Sequence, residues 1–271
     1  MIERTGMAAR GGDETLLGVQ ARVLFALMTR EMVTRYGRSP GGYVWAIIEP
    51  LATIALLSLV FSAIARQPSL GTNFPLFFAT GYGVFHVYKD ISANVSAAVQ
   101  SNRALLTFPR ISMLDVILAR FLLQSATSIL AFAAIITGIM LYYDIHMPLD
   151  FRAILTALAY AALLGLGIGA LNCVLFAFSP TYQRVFNLVN RPLFLISGVF
   201  FLFEEVPADL QEWLWWNPLI HITATMRTGF YVEYYATFIS PVYVVLLALT
   251  TLTLGVMLLR LLRGRVLEQR D

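Results

Sequence analysis

Residues 153–178 read AILTALAYAALLGLGIGALNCVLFAF and carry no charged side chain. A helix of these 26 residues would be about 39 Å long. About 20 apolar residues are enough for a helix to cross the hydrocarbon core of a membrane. The stretch therefore predicts a membrane-spanning helix.

The composition of the whole chain agrees with this prediction. Of 271 residues, 58% are hydrophobic and 13% are charged, whereas soluble domains carry about 25% charged residues. Too little polar surface is left to cover a soluble core, so we expect one membrane domain with lipid as its solvent. The single cysteine, Cys173, lies in an apolar run and is expected to be a packing residue.

Six apolar stretches predict an all-α integral membrane protein with six transmembrane helices. They cover residues 43–65, 74–100, 113–143, 153–178, 185–203 and 241–262. The third stretch is longer than a crossing requires, so we expect its first turns to project beyond the membrane. The membrane domain would then comprise residues 41–271, with residues 1–40 as a separate N-terminal segment.

The N-terminal segment has helical periodicity of its own. Leu16, Val19, Val23 and Leu27 recur at helical spacing, which predicts an amphipathic helix lying in the headgroup region. Asp13 is the candidate N-cap of this helix. The first twenty residues lack the apolar core of a signal peptide, so we expect no cleavage.

Residues 204–240 separate the fifth and sixth stretches. They contain two short apolar pieces, residues 213–216 and 219–230, and neither is long enough to cross a membrane alone. Irregular backbone at membrane depth is tolerated where it is buried in protein. The segment therefore predicts a pair of short re-entrant helices.

The arginines predict the orientation of the chain. With the N-terminus inside, fourteen arginines fall in inside segments and three in outside segments. The inside arginines are Arg4, Arg10, Arg22, Arg30, Arg35, Arg38, Arg103, Arg110, Arg184, Arg191, Arg260, Arg263, Arg265 and Arg270; those outside are Arg66, Arg152 and Arg227. Positive residues are enriched in cytoplasmic loops, so we expect both termini in the cytoplasm.

The same residues exclude several kinds of chemistry. A phosphate-binding P-loop needs a lysine after a glycine-rich turn, and the only lysine, Lys89, lies inside a predicted span. Three histidines far apart in sequence make a metal site improbable. We therefore expect no catalytic residues, no cofactor in this chain, no ATP hydrolysis and no nucleic-acid partner.

The loop between the second and third spans has an unusual composition. Residues 101–110 read SNRALLTFPR and combine two arginines with four apolar side chains. The candidate contact residues of this loop are Ser101, Asn102, Arg103, Ala104, Leu105, Leu106, Phe108 and Arg110. Such a segment suits a short helix that docks into a groove of a partner or a helix that lies flat on the bilayer, and its residues do not decide between the two.

Seven short pieces in order resemble one family. They are RYG with GYVWAIIEP at 35–50, TGY at 80–82, NRALL at 102–106, DVILAR at 115–120, FSP at 178–180, SGVFF at 197–201 and WNPL at 216–219. On a six-span topology, this set resembles the membrane subunit of capsular polysaccharide exporters of the ABC transporter class, from about residue 16 to the end.

The resemblance implies partners and a location. Such subunits pair as homodimers in the bacterial inner membrane and bind two copies of a cytoplasmic ATPase, which holds ATP and magnesium. Residues 101–110 would couple that ATPase to the spans, and the N-terminal helix would lie along the inner leaflet. The cargo would be a lipid-linked polysaccharide, which a periplasmic adaptor and an outer-membrane channel would carry onward.

Charges inside the second span are candidates for the export path. Charged residues at mid-membrane usually face a partner or water. His86 and Asp90 are four residues apart and share a helix face, whereas the adjacent residues Lys89 and Asp90 do not share one. These three residues either hold spans together or form a polar lining of the path.

Aromatic residues are further candidates for the path. Sugar rings can stack on aromatic faces much as bases do, and Tyr82, Phe85 and Tyr88 recur three apart on one helix. Packing within the bundle is the alternative. Trp213 and Trp216 are also candidates, although tryptophan commonly marks the membrane interface.

Four charged residues near the predicted inner face of the membrane are the remaining candidates for functional roles. Glu49 precedes Pro50 inside the first span, where it would either gate the path or pair with an arginine such as Arg120 or Arg191. Arg35, Arg38 and Arg191 are candidates to contact a lipid phosphate.

Gly165 and Gly169 have the spacing that lets helices approach closely.

Other functions remain possible on the residues alone. The same kind of permease could carry O-antigen, teichoic acid or a drug. A glycan polymerase would use paired acids such as Glu204, Glu205 and Asp209. An ion-coupled carrier would use His86 and Asp90 and would often show inverted repeats, which the sequence lacks.

Overall fold

The computed structural model describes residues 16–36, 42–106, 111–262 and 264. Every regular element in this part of the chain is a helix, which confirms the predicted helical class. The helices are α1 (Leu16–Tyr36), α2 (Gly42–Ile64), α3 (Phe74–Ser96), α4 (Ala98–Ser101), α5 (Met113–Tyr142), α6 (Phe151–Phe178), α7 (Pro180–Leu195), α8 (Ala208–Trp215), α9 (Pro218–Phe230) and α10 (Pro241–Leu261). Short 3-10 turns lie at Arg103–Leu105 and Phe203–Glu205.

Four described segments are long and apolar enough to cross a membrane. They are Val44–Ile64, Met113–Tyr142, Phe151–Phe178 and Pro241–Leu261, and they correspond to the first, third, fourth and sixth predicted spans. The N-terminal helix begins at Leu16 within the described residues, and the predicted cap Asp13 lies outside them.

The helix at the predicted fifth span has different bounds. Ser179 accepts a hydrogen bond from the Tyr182 N–H, and Pro180 occupies the first turn, where its missing N–H costs nothing. The helix ends at Leu195, and Gly198 turns the chain with a φ of 72°. An apolar run that continues to residue 203 is thus a helix followed by a turn.

Helix α3 occupies the centre of the bundle. Its buried side chains face α5, α6 and α9, and Ala79, Val84 and Val87 have no exposed surface. A β-carbon added at Gly165 or Gly169 of α6 would lie 3.0 Å or 2.7 Å from the Cβ of Ile91 or Val95. These distances confirm that the two glycines bring α6 into close contact with α3.

The pair of short helices predicted after the fifth span is present as α8 and α9. Helix α9 packs against α3 and α6, and its Arg227 is fully buried. The Arg227 guanidinium donates to the carbonyls of Val199 (3.1 Å) and Phe201 (2.9 Å) and lies 4.2 Å from the centre of the Phe77 ring. This cation therefore fixes the turn that follows α7.

Candidate functional site

A cavity of about 510 Å³ lies between α3 and α7, bordered by α2 and α6. We call it the chamber. Six aromatic rings line it: Tyr82, Phe85, Tyr88, Phe176, Phe186 and Phe194. Its polar lining comprises Thr53, Lys89, Ser92, Ser96, Asn187, Asn190 and Arg191.

The rings of the chamber pack against one another. The Phe194 ring lies 5.6 Å from that of Tyr82, edge to face, and 5.4 Å from that of Phe85. The rings of Phe176 and Phe186 lie 5.7 Å apart. Such offset contacts hold aromatic faces in fixed positions. The structure thus brings Tyr82, Phe85 and Tyr88 to one cavity and adds rings from α6 and α7.

The charged groups that line the chamber are both cations. Lys89 of α3 and Arg191 of α7 border it together with the side-chain amides of Asn187 and Asn190. No carboxylate is among the described residues that line it. Amides and hydroxyls can donate to and accept from sugar hydroxyls, and the two cations can bind carboxylate or phosphate.

His86 and Asp90 lie on a different side of α3. The His86 Nε2 is 3.4 Å from Asp90 Oδ2, and Gln124 of α5 donates to the same carboxylate at 3.3 Å. Gln124 also donates to Ser128 at 2.9 Å. These two candidates therefore form a polar contact between α3 and α5, while Lys89 faces the chamber.

Glu49 is exposed on α2 and does not form the predicted pair with Arg120. Arg120 instead lies 2.6 Å from Glu31 of α1. The cause is the packing of α1 along α5, which brings an acid from the N-terminal helix to this arginine.

Trp213 and Trp216 lie away from the chamber. Trp213 lies on α8 and Trp216 directly follows this helix, and 80% and 66% of their surfaces are accessible. The Trp216 ring meets Trp215 and Tyr243 edge to face. The structure does not bring these two candidates together with Tyr82 and Lys89.

The coupling candidates form a compact turn. Helix α4 ends at Ser101, and Arg103–Leu105 makes a 3-10 turn. Asn102 and Leu106 are buried, Ala104 is exposed, and Arg103 and Leu105 are partly buried. Phe108 and Arg110 lie outside the described residues, as does Arg38, and Arg35 lies in α1 with its side chain outside the description.

Two acids of the segment before α10, Glu204 and Glu205, make structural contacts. Glu205 accepts hydrogen bonds from the Ser69 hydroxyl (2.8 Å) and the Leu202 N–H (3.1 Å). The Tyr234 hydroxyl lies 3.2 Å from Glu204. Burial of Tyr234, together with the nearby Glu204 carboxylate, raises the pKa of its phenol, so the phenol keeps its proton and donates.

Sequence reasoning named Arg191 as a candidate but missed the other chamber residues that α7 supplies. Phe186, Asn190 and Phe194 follow one another four residues apart, so they share one face of a helix. That spacing was a usable signal. The choice of the face that meets α3, however, depends on tertiary packing.

Comparison with known proteins adds independent information. Capsule polysaccharide export inner-membrane protein CtrC of Neisseria meningitidis serogroup A is 31% identical over 243 residues, which is 89% of this chain and 91% of that protein. Polysialic acid transport protein KpsM of Escherichia coli is 28% identical over 93% of this chain and 96% of its own length. Capsule polysaccharide export inner-membrane protein BexB of Haemophilus influenzae is 28% identical over 92% and 96%.

Residues 22–231 match the ABC-2 type transporter family. The match contains α2 through α9, and hence every described residue that lines the chamber or forms the turn after α4. The apolar helices and the inner-membrane relatives agree with it. The chain belongs to the ABC-2 type transporter family of membrane proteins.

Proposed function

We propose that this chain is the membrane-spanning subunit of an ATP-driven exporter that moves a lipid-linked capsular polysaccharide across the bacterial inner membrane. The names of the relatives supply the class of cargo. The observation that carries the proposal for this chain is the chamber, because its lining combines aromatic faces, amides and cations. Aromatic faces tolerate many successive rings, which suits a repetitive polymer.

The chamber of one chain is too small to hold a polymer. Its volume of about 510 Å³ lies within the range of about 300–1,000 Å³ that is usual for a pocket holding one small ligand. We therefore propose a homodimer in which two chambers border one path. The exposed apolar residues of α2 and α7, such as Leu56, Leu59, Leu188 and Val189, supply surface for that contact or for lipid.

The energy is proposed to come from two cytoplasmic ATP-binding subunits. These subunits would hold ATP and magnesium, and residues 101–110 would transmit their closure to α3 and α5, which flank the segment. A periplasmic adaptor and an outer-membrane channel would continue the path. This chain supplies binding and orientation of the cargo and no chemical step.

The proposed topology has six spans with both termini in the cytoplasm. Helix α3 counts as the second span because its charged side chains face the chamber or α5, and charged residues in a membrane commonly face protein or water. Helix α7 with the turn after it counts as the fifth, α8 and α9 as the re-entrant pair, and α1 as the interfacial helix. Arg35, Arg38 and Arg191 remain the proposed contacts for a lipid phosphate, and Glu49 the proposed gate.

Replacement of Lys89 tests the proposal most directly. The complex with its ATPase is reconstituted in vesicles, and ATP-dependent uptake of lipid-linked polysaccharide is measured. We expect Lys89→Met to reduce transport by about tenfold, which corresponds to the loss of a charged hydrogen bond of about 1.4 kcal/mol, and Lys89→Arg to retain most of it. Unchanged transport by Lys89→Met would remove the chamber from the path, and transport by this subunit without an ATPase would refute the proposal.

A further inference from the structure

A polar cluster links α1 to the elements on both sides of the proposed coupling segment. It borders a cavity of about 470 Å³ between α1, the end of α3, α4 and α5. Two neighbouring residues of α1, Arg30 and Glu31, each make one contact across this cavity. None of the functional roles proposed above uses these contacts.

The first contact is an ion pair. Glu31 Oε1 lies 2.6 Å from Arg120 Nη2 of α5, and the two side chains are only 13% and 12% exposed. Arg120 also donates from Nη1 to the carbonyl of Asn94 at 3.2 Å. One guanidinium therefore joins α1, α5 and the last turn of α3.

The second contact reaches the coupling segment itself. Arg30 Nη1 donates to Asn102 Oδ1 at 3.1 Å. Asn102 is 5% exposed, and its amide donates to the Ala98 carbonyl at 3.1 Å. The contact from α1 thus ends on a buried side chain that also holds the turn after α4 in shape.

Two attachments constrain α1 more than one does. Consecutive residues on a helix project about 100° apart, so a pair of contacts made by Arg30 and Glu31 opposes rotation of α1 as well as its separation from α5. Charged hydrogen bonds are the stronger ones. Removing one member of a largely buried ion pair leaves the other charge without compensation.

We infer that Arg30 and Glu31 form a clasp, with Asn102 and Arg120, that makes α1 move with the coupling segment as one body. Motion delivered to residues 101–106 would then reach α1 directly, in addition to α3 and α5. The four side chains are positioning residues, because they act through the helices that they join. The inference rests on the proposed coupling role of residues 101–110.

The first test separates coupling from assembly. We expect Glu31→Gln and Arg120→Gln, in the complex with its ATPase, to keep ATP hydrolysis while export falls about fivefold, at the lower end of usual couplings between sites. Thr34→Val is the matched control, because Thr34 borders the same cavity and its hydroxyl donates to carbonyls of α1 itself. Export at the wild-type rate by both Gln variants would overturn the clasp and leave the proposed function intact.

The second test replaces the ion pair with a covalent link. Cys173, the single native cysteine, is first changed to serine, and Glu31→Cys is combined with Arg120→Cys. We expect weak export from the unlinked pair. We expect recovery to the level of the Cys173→Ser parent when a short bis-methanethiosulfonate reagent bridges the two cysteines, forming a disulfide and releasing methanesulfinate at each thiol. A bridged complex that assembles and hydrolyses ATP but does not export would show that α1 must move relative to α5, which overturns the inference.

Discussion

Two sides of α3 carry polar residues, and they differ in what those residues meet. On the side toward α5, His86 and Asp90 contact each other and Gln124. On the side toward α7, Lys89 borders a cavity lined by rings and amides. Because Lys89 and Asp90 are neighbours in sequence, the difference comes from helix geometry and from the helices that pack on each side. A charge inside a span is thus a transport candidate only where its neighbours leave space.

The largest expected effect comes from displacing α3 as a whole. A β-carbon at Gly169 would lie 2.7 Å from the Cβ of Val95 and 3.0 Å from the carbonyl oxygen of Ser92. Gly169→Leu therefore forces α6 away from α3, and we expect a loss of about 3 kcal/mol in the free energy of unfolding, as for severe overpacking. The measurement is the monodisperse fraction and the melting temperature of the protein in detergent.

The matched control for this substitution is Gly138→Leu. Gly138 also lies inside a helix, and a β-carbon there would meet no atom within 4 Å. Both changes gain about the same helix propensity, about 0.8–1 kcal/mol, so a difference between them isolates the clash with α3. Equal melting temperatures for the two variants would contradict the close contact of α6 with α3.

A smaller effect should separate the two polar sides. We expect Asp90→Ala to lower the melting temperature, because it removes the carboxylate that His86 and Gln124 contact. Polar contacts between membrane helices contribute about 0.6 kcal/mol on average and up to about 1.7 kcal/mol. Lys89→Met should leave the melting temperature unchanged while it reduces export. Both quantities are measured on the same preparations of the complex.

Two results would contradict the difference between the two sides of α3. If Lys89→Met destabilises the protein as much as Asp90→Ala does, Lys89 serves packing or pairing and the two sides of α3 are equivalent. If Asp90→Ala reduces export with an unchanged melting temperature, the polar contact between α3 and α5 is itself part of the path.

The sequence was sufficient for elements that depend on local composition. The four long apolar helices follow from uninterrupted runs such as residues 153–178, because apolar length alone decides them. The position at which α7 ends could not be predicted from local composition. Its apolar run continues past Gly198, and the turn there is held by Arg227, which donates to Val199 and Phe201 from a point 26 or more residues away in sequence.

In the candidate site too, some features were predictable from local spacing and others depend on tertiary packing. Helical spacing predicted that His86 and Asp90 share a face, and the 3.4 Å contact between them confirms it. The partner helix for that face, α5, could not be predicted, because it depends on tertiary packing. The same limit applies to Arg120, which was one of two arginines proposed as partners for Glu49 and which the structure pairs with Glu31.

The smallest expected effect concerns a single ring at the chamber wall. The Tyr82 ring lies 5.6 Å from Phe194 and 5.6 Å from His86, so it belongs to the chamber and also touches the side toward α5. Tyr82→Phe keeps the aromatic face, and we expect export to change by less than about twofold. Tyr82→Leu removes a stacking surface that contributes about 1 kcal/mol per ring in comparable channels, which corresponds to about fivefold. Initial export rates measure both variants. Equal rates for phenylalanine and leucine would mean that Tyr82 serves packing, and the chamber would then act through its cations and amides.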